Sequence, residues 1–186
     1  MSDVGAITIR QAVAGDEGEI IALILPIQSE EFGFSITAAD QPDLSDIDGF
    51  YRSGLGGFWV AEANGRIIGT IALKDIGTGQ GALRKMFVAA SHRGLGVADA
   101  LLQTLVAHAA DNGFHAILLG TTDRFVAAHR FYEKNGFTAI AVEDLPQAFP
   151  RMALDTRFYR LRNGQTQGRY NVLLIFTCHS SLSNPG

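Results

Sequence analysis

Cysteine is nearly absent from this sequence, since Cys178 is the single cysteine among 186 residues. One cysteine cannot form an internal disulfide, and no CxxC pair is available to bind zinc. No recognised ligand spacing joins the five histidines, which are His92, His108, His115, His129 and His179. We therefore expect a cytoplasmic protein, from a reducing compartment, that holds no metal.

Basic residues are too few for general binding of nucleic acid, because 15 Lys and Arg face 19 Asp and Glu and the net charge is −4. Long apolar runs are also missing, and the longest are far shorter than a membrane span. The first residues, MSDVGAITIR, lack the basic and apolar regions of a signal peptide. We expect neither a nucleic acid nor a membrane as partner.

Hydrophobic residues make up 47% of the chain and charged residues 18%, which is typical of a globular protein with one core. Periodicity and turn residues predict strands over residues 6–12, 58–61, 67–73, 83–89, 116–120 and 157–161. They predict helices over residues 15–25, 43–53, 94–112 and 125–134. We find no internal repeat and no linker. The order of elements predicts an α/β or α+β fold, a mixed sheet with helices on its faces.

Several boundaries of these elements rest on single residues. Pro26 is expected to end the first helix, and residues 28–42 are expected to form a loop. Asp43 or Ser45 is expected near the cap of the second helix. Asn64-Gly65 is the strongest hairpin signal in the chain.

A glycine-containing loop precedes the best helix, in the stretch LRKMFVAASHRGLGVADALL. Free N–H groups and the positive end of a helix dipole favour an anion, and glycines at 94 and 96 let phosphate oxygens approach the backbone. The alternative is a tight turn between strand and helix, with Arg93 in solvent. A dinucleotide fingerprint fails because Asp99 occupies the third small position, and a P-loop fails because no Gly-Lys-Ser/Thr follows.

The same stretch resembles the acetyl-CoA-binding motif of the GCN5-related N-acetyltransferases (GNAT), in which Arg or Gln is followed by two residues, Gly, one residue, and Gly or Ala. Arg93, Gly96 and Ala98 meet that pattern. A second segment, AAHRFYEKNGF at 127–137, resembles a later helix of that family and its ending. The resemblance covers residues 6–161 and implies a GNAT-like fold, with a central mixed, mostly antiparallel sheet flanked by helices. It assigns residues 1–161 to an acetyltransferase domain and leaves 162–186 as an extension of unknown role.

The resemblance implies an enzyme that transfers the acetyl group of acetyl-CoA to a primary amine of a small molecule or peptide by direct attack. A non-catalytic acyl-CoA sensor or interaction module is the alternative. Backbone amides of the loop would bind the coenzyme A pyrophosphate, which implicates Arg93, Gly94, Leu95, Gly96, Val97 and Ala98. The central strand would pair with the pantetheine arm through Met86, Phe87 and Val88.

The resemblance also implies catalytic roles. The Val88 amide would stabilise the oxyanion of the thioester carbonyl, and Tyr132 would protonate the departing thiolate. Packing of the helix on the sheet is the alternative role for Tyr132. His129 would either contact the pantetheine arm or be an ordinary surface histidine. Ala82 lies where many relatives carry a glutamate base, which leaves the base unassigned.

The acceptor amine is expected beside the loop after the first helix. Glu30 and Glu31 would attract a cationic amine, and Phe32 and Phe34 would form an apolar wall beside it. A solvated helix end and core aromatics are the alternative. Thr121 would line the same site or, with Thr122, cap the next helix, and DLPQAFPRM at 144–152 would form a lip. The family implies a possible homodimer, for which VLLIF at 172–176 is one contact.

Overall fold

Within residues 6–162, which the computed structural model describes, seven strands form one sheet in the order β1-β2-β3-β4-β5-β7-β6. The strands are β1 (Thr8–Gln11), β2 (Gly57–Ala63), β3 (Arg66–Asp75), β4 (Gln80–Val88), β5 (Ala116–Thr121), β6 (Thr138–Ile140) and β7 (Arg157–Arg162). Only the pairing of β4 with β5 is parallel, and every other neighbouring pair of these strands is antiparallel. The predicted mixed, mostly antiparallel sheet is confirmed. The tail, with Cys178 and VLLIF, lies outside the described residues.

The helices are α1 (Glu17–Pro26), α2 (Ile47–Tyr51), α3 (Val97–Asp111) and α4 (Val126–Lys134). Short 3-10 turns occupy Ala38–Asp40, Pro42–Leu44, Ala90–His92 and Val142–Asp144. Across the described part of the chain, each helix is too short or too polar to span a bilayer.

The two faces of the sheet bury separate hydrophobic clusters. Helix α3 packs on one face, where Leu101 and Leu105 contact the cluster that contains Ile71 and Ile117. Helices α1 and α2 cover the other face with Ile20, Ile24, Ile47 and Tyr51. The sheet is therefore held between two cores, which fixes the positions of its central strands.

The predicted hairpin is confirmed, since Asn64 and Gly65 join β2 to β3 with φ of 51° and 70°. Positive φ at both central residues is what a type I′ turn requires. Sequence analysis missed β6, a strand of three residues that directly follows the Gly136 turn.

The α-helical part of the first helix ends at Pro26, as predicted, but Ile27–Glu31 then form a π-helical turn where the sequence predicted the start of a loop. Two other boundary predictions are wrong. The second helix is capped by Asp46, whose side chain accepts from the Gly49 N–H. The third helix begins at Val97 rather than at position 94, because Gly94 and Gly96 take φ of 77° and 81°.

Strands β4 and β5 pair over only three residues each, Gln80–Ala82 with Ala116–Leu118. Beyond Ala82, β4 keeps its partner β3 but has no described partner on its other edge. The gap that opens between β4 and β5 is the feature of the fold that positions the site.

Leu101→Ala tests the contribution of the α3 face, because Leu101 is fully buried in the larger cluster. We expect it to lower the free energy of unfolding by about 2–5 kcal/mol, measured by urea denaturation. Leu55→Ala is the matched control, since Leu55 is 50% exposed and its loss should cost less than about 0.5 kcal/mol. Equal effects of the two substitutions would contradict this description of the core.

Candidate active site

A cavity of about 480 Å³ lies where β4 and β5 separate. Its floor is the stretch of β4 from Leu83 to Val88. One wall comes from the end of β5 and the start of α4, and the opposite wall from the segment after α1. The size suits a small organic ligand rather than a macromolecule.

The open edge of β4 presents unpaired backbone groups to this cavity. The N–H of Ala89 bonds to the Ile68 carbonyl on β3, at 2.9 Å. Because backbone groups alternate in direction along a strand, the N–H and carbonyl of Val88 point to the opposite, open edge. The Arg93 Nε confirms this direction by donating to the Val88 carbonyl at 2.9 Å. The Val88 N–H is thus available to a ligand in the gap.

The glycine loop leaves the N-terminus of α3 free of a side-chain cap. Gly96 is the N-cap residue, and the first helical bond runs from the Ala100 N–H to its carbonyl at 3.0 Å. A Cβ added at Gly94 or Gly96 would meet nothing within 4 Å, so open space lies over both residues. The N–H groups of the first turn of α3 can therefore receive an anion.

Arg93 does not project freely into solvent. Its two terminal nitrogens bond to the two carboxylate oxygens of Glu31, at 2.8 and 3.1 Å. The bidentate pair ties the glycine loop to the π-helical turn after α1, across 62 residues of sequence. Glu31 is therefore neutralised by Arg93, and neither Glu31 nor Glu30 lines the cavity.

The predicted aromatic wall does line the cavity. The rings of Phe32 and Phe34 pack edge-on against Phe125, with centroids 4.3 and 5.8 Å away. Arg124 lies over the Phe34 ring and donates to the Phe32 carbonyl at 3.0 Å. The segment after α1 is thereby attached to the start of α4, and the two together form one side of the cavity.

A β-bulge at Lys85 brings two consecutive cations to one side of the sheet. The pairing of β3 with β4 jumps from Thr70–Phe87 to Ala72–Arg84, and Lys85 takes a φ of 53°. Side chains normally alternate between faces, but both Arg84 and Lys85 face Asp43, at 3.9 and 3.3 Å. Sequence reasoning missed this pair; two adjacent cations inside an apolar strand were the available signal.

Asp43 is the centre of a buried polar network behind the cavity. Its Oδ2 accepts from the Tyr51 hydroxyl at 2.5 Å, and the Lys85 Nζ also donates to Gln41 at 2.6 Å. Gln41 in turn donates to Gln28 at 2.9 Å. Burial raises the pKa of Tyr51 and lowers the pKa of Lys85, in the second case against the attraction of Asp43. The network fixes the side chain of Lys85 despite its strained backbone.

Tyr132 lies both in the core and at the cavity. Packing of α4 on the sheet and a catalytic role are therefore compatible for this residue. Its ring is 5% exposed and packs edge-on against Phe137, with centroids 5.4 Å apart, while it also lines the cavity. Burial raises the pKa of the phenol, which is therefore protonated at neutral pH.

His129 is buried, which excludes a surface position. Its Nε2 lies 2.9 Å from the Thr122 carbonyl, and its ring is near Tyr159. Thr121 lines the cavity. Thr122 also bonds the Arg124 N–H through its hydroxyl, at 3.3 Å, and so shapes the entry to α4.

Asp155 is a cavity residue that sequence reasoning missed, and nothing in the string ALDT around it signals a function. Its Oδ2 accepts from the Met152 N–H at 2.9 Å and lies against Gly120, where a Cβ would come within 2.4 Å of it. Burial raises the pKa of this carboxyl above its usual range, against the lowering effect of Arg84 and Arg151. The 144–152 segment lies beside the cavity as expected, through Phe149, Pro150 and Met152.

Comparison with known proteins agrees with this architecture. The sequence model of the Acetyltransferase (GNAT) family matches residues 12–137. An acetyltransferase of the GNAT family from Staphylococcus aureus has a similar structure, with a TM-score of 0.82 and 39% identity over 84% of this chain and 99% of that one. An acetyltransferase from Streptococcus agalactiae aligns with a TM-score of 0.80 and 28% identity, over 84% of this chain and 98% of that one.

Among curated relatives, N-acetylaspartate synthetase of Xenopus tropicalis is 33% identical over 131 residues. The match covers 68% of this chain and 48% of that protein. The chain thus spans about half the length of the curated relatives it matches.

The buried network predicts a large effect of Asp43→Asn, because the substitution leaves Lys85 buried without its counter-charge. We expect a loss of about 3–5 kcal/mol in the free energy of unfolding, measured by urea denaturation. The double variant Asp43→Asn/Lys85→Gln should lose less than the sum of the single variants.

Asp48→Asn is the matched control, because Asp48 belongs to an exposed ion pair with Arg52 on the same segment. It should cost less than about 1 kcal/mol. Additive effects of the Asp43 and Lys85 substitutions would show that the two charges are not coupled.

Proposed function

The chain belongs to the GNAT acetyltransferase family, and from this we propose that it transfers the acetyl group of acetyl-CoA to a primary amine of a small molecule or peptide. One observation carries the proposal. The open edge of β4 leads from Arg93, the first residue of the uncapped glycine loop, to Tyr132 along a single cavity, which Gly94, Leu95, Gly96, Val97 and Ala98 do not line. A long ligand with an anionic centre and a thioester at one end would fit along this path.

The glycine loop would hold the pyrophosphate of coenzyme A. Open space lies over Gly94 and Gly96 and no side chain caps the helix, so the N–H groups from Leu95 to Ala98 would be free to receive phosphate oxygens. The helix dipole of α3 adds a favourable field. The Arg93–Glu31 pair holds this loop against the rest of the site.

The pantetheine arm would pair with β4 as an added strand. Met86, Phe87 and Val88 line the cavity, and β5 does not pair with them. An amide-containing arm satisfies backbone groups that would otherwise bond only to water. His129, a buried residue of α4 that does not line the cavity, would support that wall through its contact with the Thr122 carbonyl.

Direct attack by the amine requires two groups from the protein at the thioester. The Val88 N–H would donate to the thioester oxygen as negative charge develops on it. Tyr132 would donate its proton to the departing thiolate, since burial keeps the phenol protonated. The reaction needs no protein nucleophile, because the amine forms the new bond to the carbonyl carbon itself.

The acceptor would enter beside Phe32, Phe34 and Thr121, which line the cavity together. A relative whose name specifies synthesis of N-acetylaspartate supports an amine acceptor. A cytoplasmic location, a homodimer and a domain that ends at residue 161 stay predictions from the sequence.

The loop assignment predicts that Gly96→Glu abolishes stabilisation by coenzyme A, because a carboxylate would occupy the anion site. The measurement is a thermal-shift titration with acetyl-CoA, coenzyme A, NAD and ATP. Gly113→Glu is a matched control at the other end of α3, with a φ of 74° against 81° and open space in both places. We expect the control to be destabilised similarly but to keep its response to coenzyme A. A response to NAD or ATP instead would contradict the proposal.

The role of Tyr132 predicts that Tyr132→Phe lowers kcat by about 10²–10³-fold with little change in affinity for acetyl-CoA, because only the acidic proton is lost. Release of free thiol measures the rate. Tyr159→Phe is the control, since Tyr159 is equally buried and its hydroxyl bonds to Glu133 away from the cavity. Unchanged turnover in Tyr132→Phe would show that Tyr132 has no catalytic role. A wild-type protein that binds acetyl-CoA without turnover would instead support the alternative of a non-catalytic acyl-CoA sensor.

A further inference from the structure

We propose that the acceptor is a free α-amino acid, with its carboxylate bound by Arg84 and its amino group received by Asp155. The inference rests on the proposed function and narrows it to one class of acceptor. Both residues line the cavity, from opposite sides of the gap between β4 and β5.

Arg84 carries a charge that the protein does not neutralise fully. Its nearest carboxylate is Asp43 at 3.9 Å, and that carboxylate is closer to Lys85, at 3.3 Å. The terminal nitrogens of Arg84 otherwise bond to the Pro150 carbonyl and the Met152 sulfur, both at 3.3 Å. Its Nε is buried and has no hydrogen-bond partner among the described residues. Asp43 is thus shared by two cations, and no carboxylate of the described residues lies within hydrogen-bond distance of the Arg84 guanidinium.

A carboxylate of the acceptor would be such a partner for Arg84. A guanidinium binds a carboxylate through two parallel hydrogen bonds, which are stronger than bonds to a neutral carbonyl or a thioether. The side chain of Arg84 is 14% exposed, so an ion pair formed there is weakly screened by water. The guanidinium is held in place on the floor of the cavity by Pro150, Met152 and the Phe50 ring.

Asp155 supplies the complementary charge. Among the described residues that line the cavity it is the only carboxylate, and Arg84 and Arg151 attract it without coming within ion-pair distance. Its Oδ2 is fixed by the Met152 N–H and by contact with Gly120 at the end of β5. An ammonium group in the gap would bind to the carboxylate oxygens of Asp155. Burial, which raises the pKa of Asp155, makes it a stronger proton acceptor than an exposed carboxylate.

Asp155 would also serve as the general base that β4 does not provide. Ala82 is fully buried and cannot accept a proton. Asp155 reaches the same cavity from the segment before β7.

The charge balance of the cavity disfavours acceptors with several cations. Of the four cationic side chains that line it, Arg93 is paired with Glu31 and Lys85 with Asp43, which leaves Arg84 and Arg124 facing the single carboxylate of Asp155. Glu31, which the sequence suggested as a cation attractor, is already paired with Arg93. A polyamine or an aminoglycoside would therefore meet repulsion, whereas a zwitterion matches one cation and one anion.

The reaction balances with these groups. The Asp155 carboxylate takes one proton from the ammonium, and the freed lone pair forms the C–N bond as the thioester carbonyl opens. The C–S bond then breaks, and the thiolate takes the proton of Tyr132. The remaining extra proton on nitrogen passes to the Tyr132 phenolate, and Asp155 releases its proton to water. The products are the N-acetylamino acid, coenzyme A and one proton.

The test measures kcat/KM by thiol release with the common α-amino acids, their carboxamides and spermidine. Wild type should prefer at least one amino acid over its carboxamide by about 10–100-fold, since a buried charged pair is lost with the amide. Arg84→Gln should remove that preference by raising KM for the amino acid much more than KM for the carboxamide. Arg84→Lys should keep part of the preference, because it keeps the charge.

Asp155→Asn should lower kcat by about 10²-fold or more for both substrates, since the general base is lost. Asp155 must be deprotonated to act as a base, so the activity of the wild-type enzyme should rise as pH increases through the raised pKa of this carboxyl. The Asp155→Asn variant should lack this pH-dependent increase. Asn can still accept from the Met152 N–H, so the melting temperature should change little. Arg66→Gln and Asp144→Asn, at exposed positions outside the cavity, are the matched controls.

Equal rates with amino acids and carboxamides, a preference for spermidine, or a preference that survives in Arg84→Gln would each overturn the inference. If the enzyme then still acetylates some amine, and acetyl-CoA still raises its melting temperature, the proposed acetyltransferase function stands and only the acceptor inference fails. Failure to bind acetyl-CoA and to acetylate any amine would overturn both.

Discussion

The parallel pairing of β4 with β5 ends after three residue pairs, and the two strands then separate although both remain in one sheet. A central strand with an open edge leaves backbone groups that need a partner, and in this protein they face a cavity. The gap persists because hydrophobic clusters hold the sheet from both faces. The cavity therefore lies within the sheet, between two packed cores.

The bulge at Lys85 is the second feature on which the site depends. An extra residue bends the strand that carries it, so β4 changes direction close to where its pairing with β5 ends. The bulge also places Arg84 and Lys85 on the same side, where they share Asp43. The positive φ of Lys85 is unfavourable for a lysine, and Asp43 and Gln41 retain it by binding the ammonium group. The same bulge therefore shapes the cavity and gives it a cationic floor.

Local sequence signals located the parts of the fold and site that depend on a few neighbouring residues. Asn64-Gly65 predicted the β2–β3 hairpin, since φ is positive at both positions. The glycines before α3 predicted an uncapped helix N-terminus in open space. The first α-helix ends at Pro26 as predicted, but a π-helical turn follows where a loop was expected, and Asp46 rather than Asp43 or Ser45 caps the second helix. In both cases several local solutions satisfied the same residues, and packing chose among them.

The sequence by itself determined the order of the helices and of every strand except β6, together with the hairpin, the glycine loop and the helix that carries Tyr132. Each of these is encoded by residues within one turn or one strand. Only the tertiary structure decided which charges meet. Arg93 lies 62 residues from Glu31, Lys85 lies 44 from Gln41, and Arg84 lies 68 from Met152. Such contacts follow from sheet register and from the separation of two strands, neither of which is recorded in the local pattern. For that reason Asp155, in an ordinary loop sequence, emerged as a cavity carboxylate only when β7 placed it against Gly120.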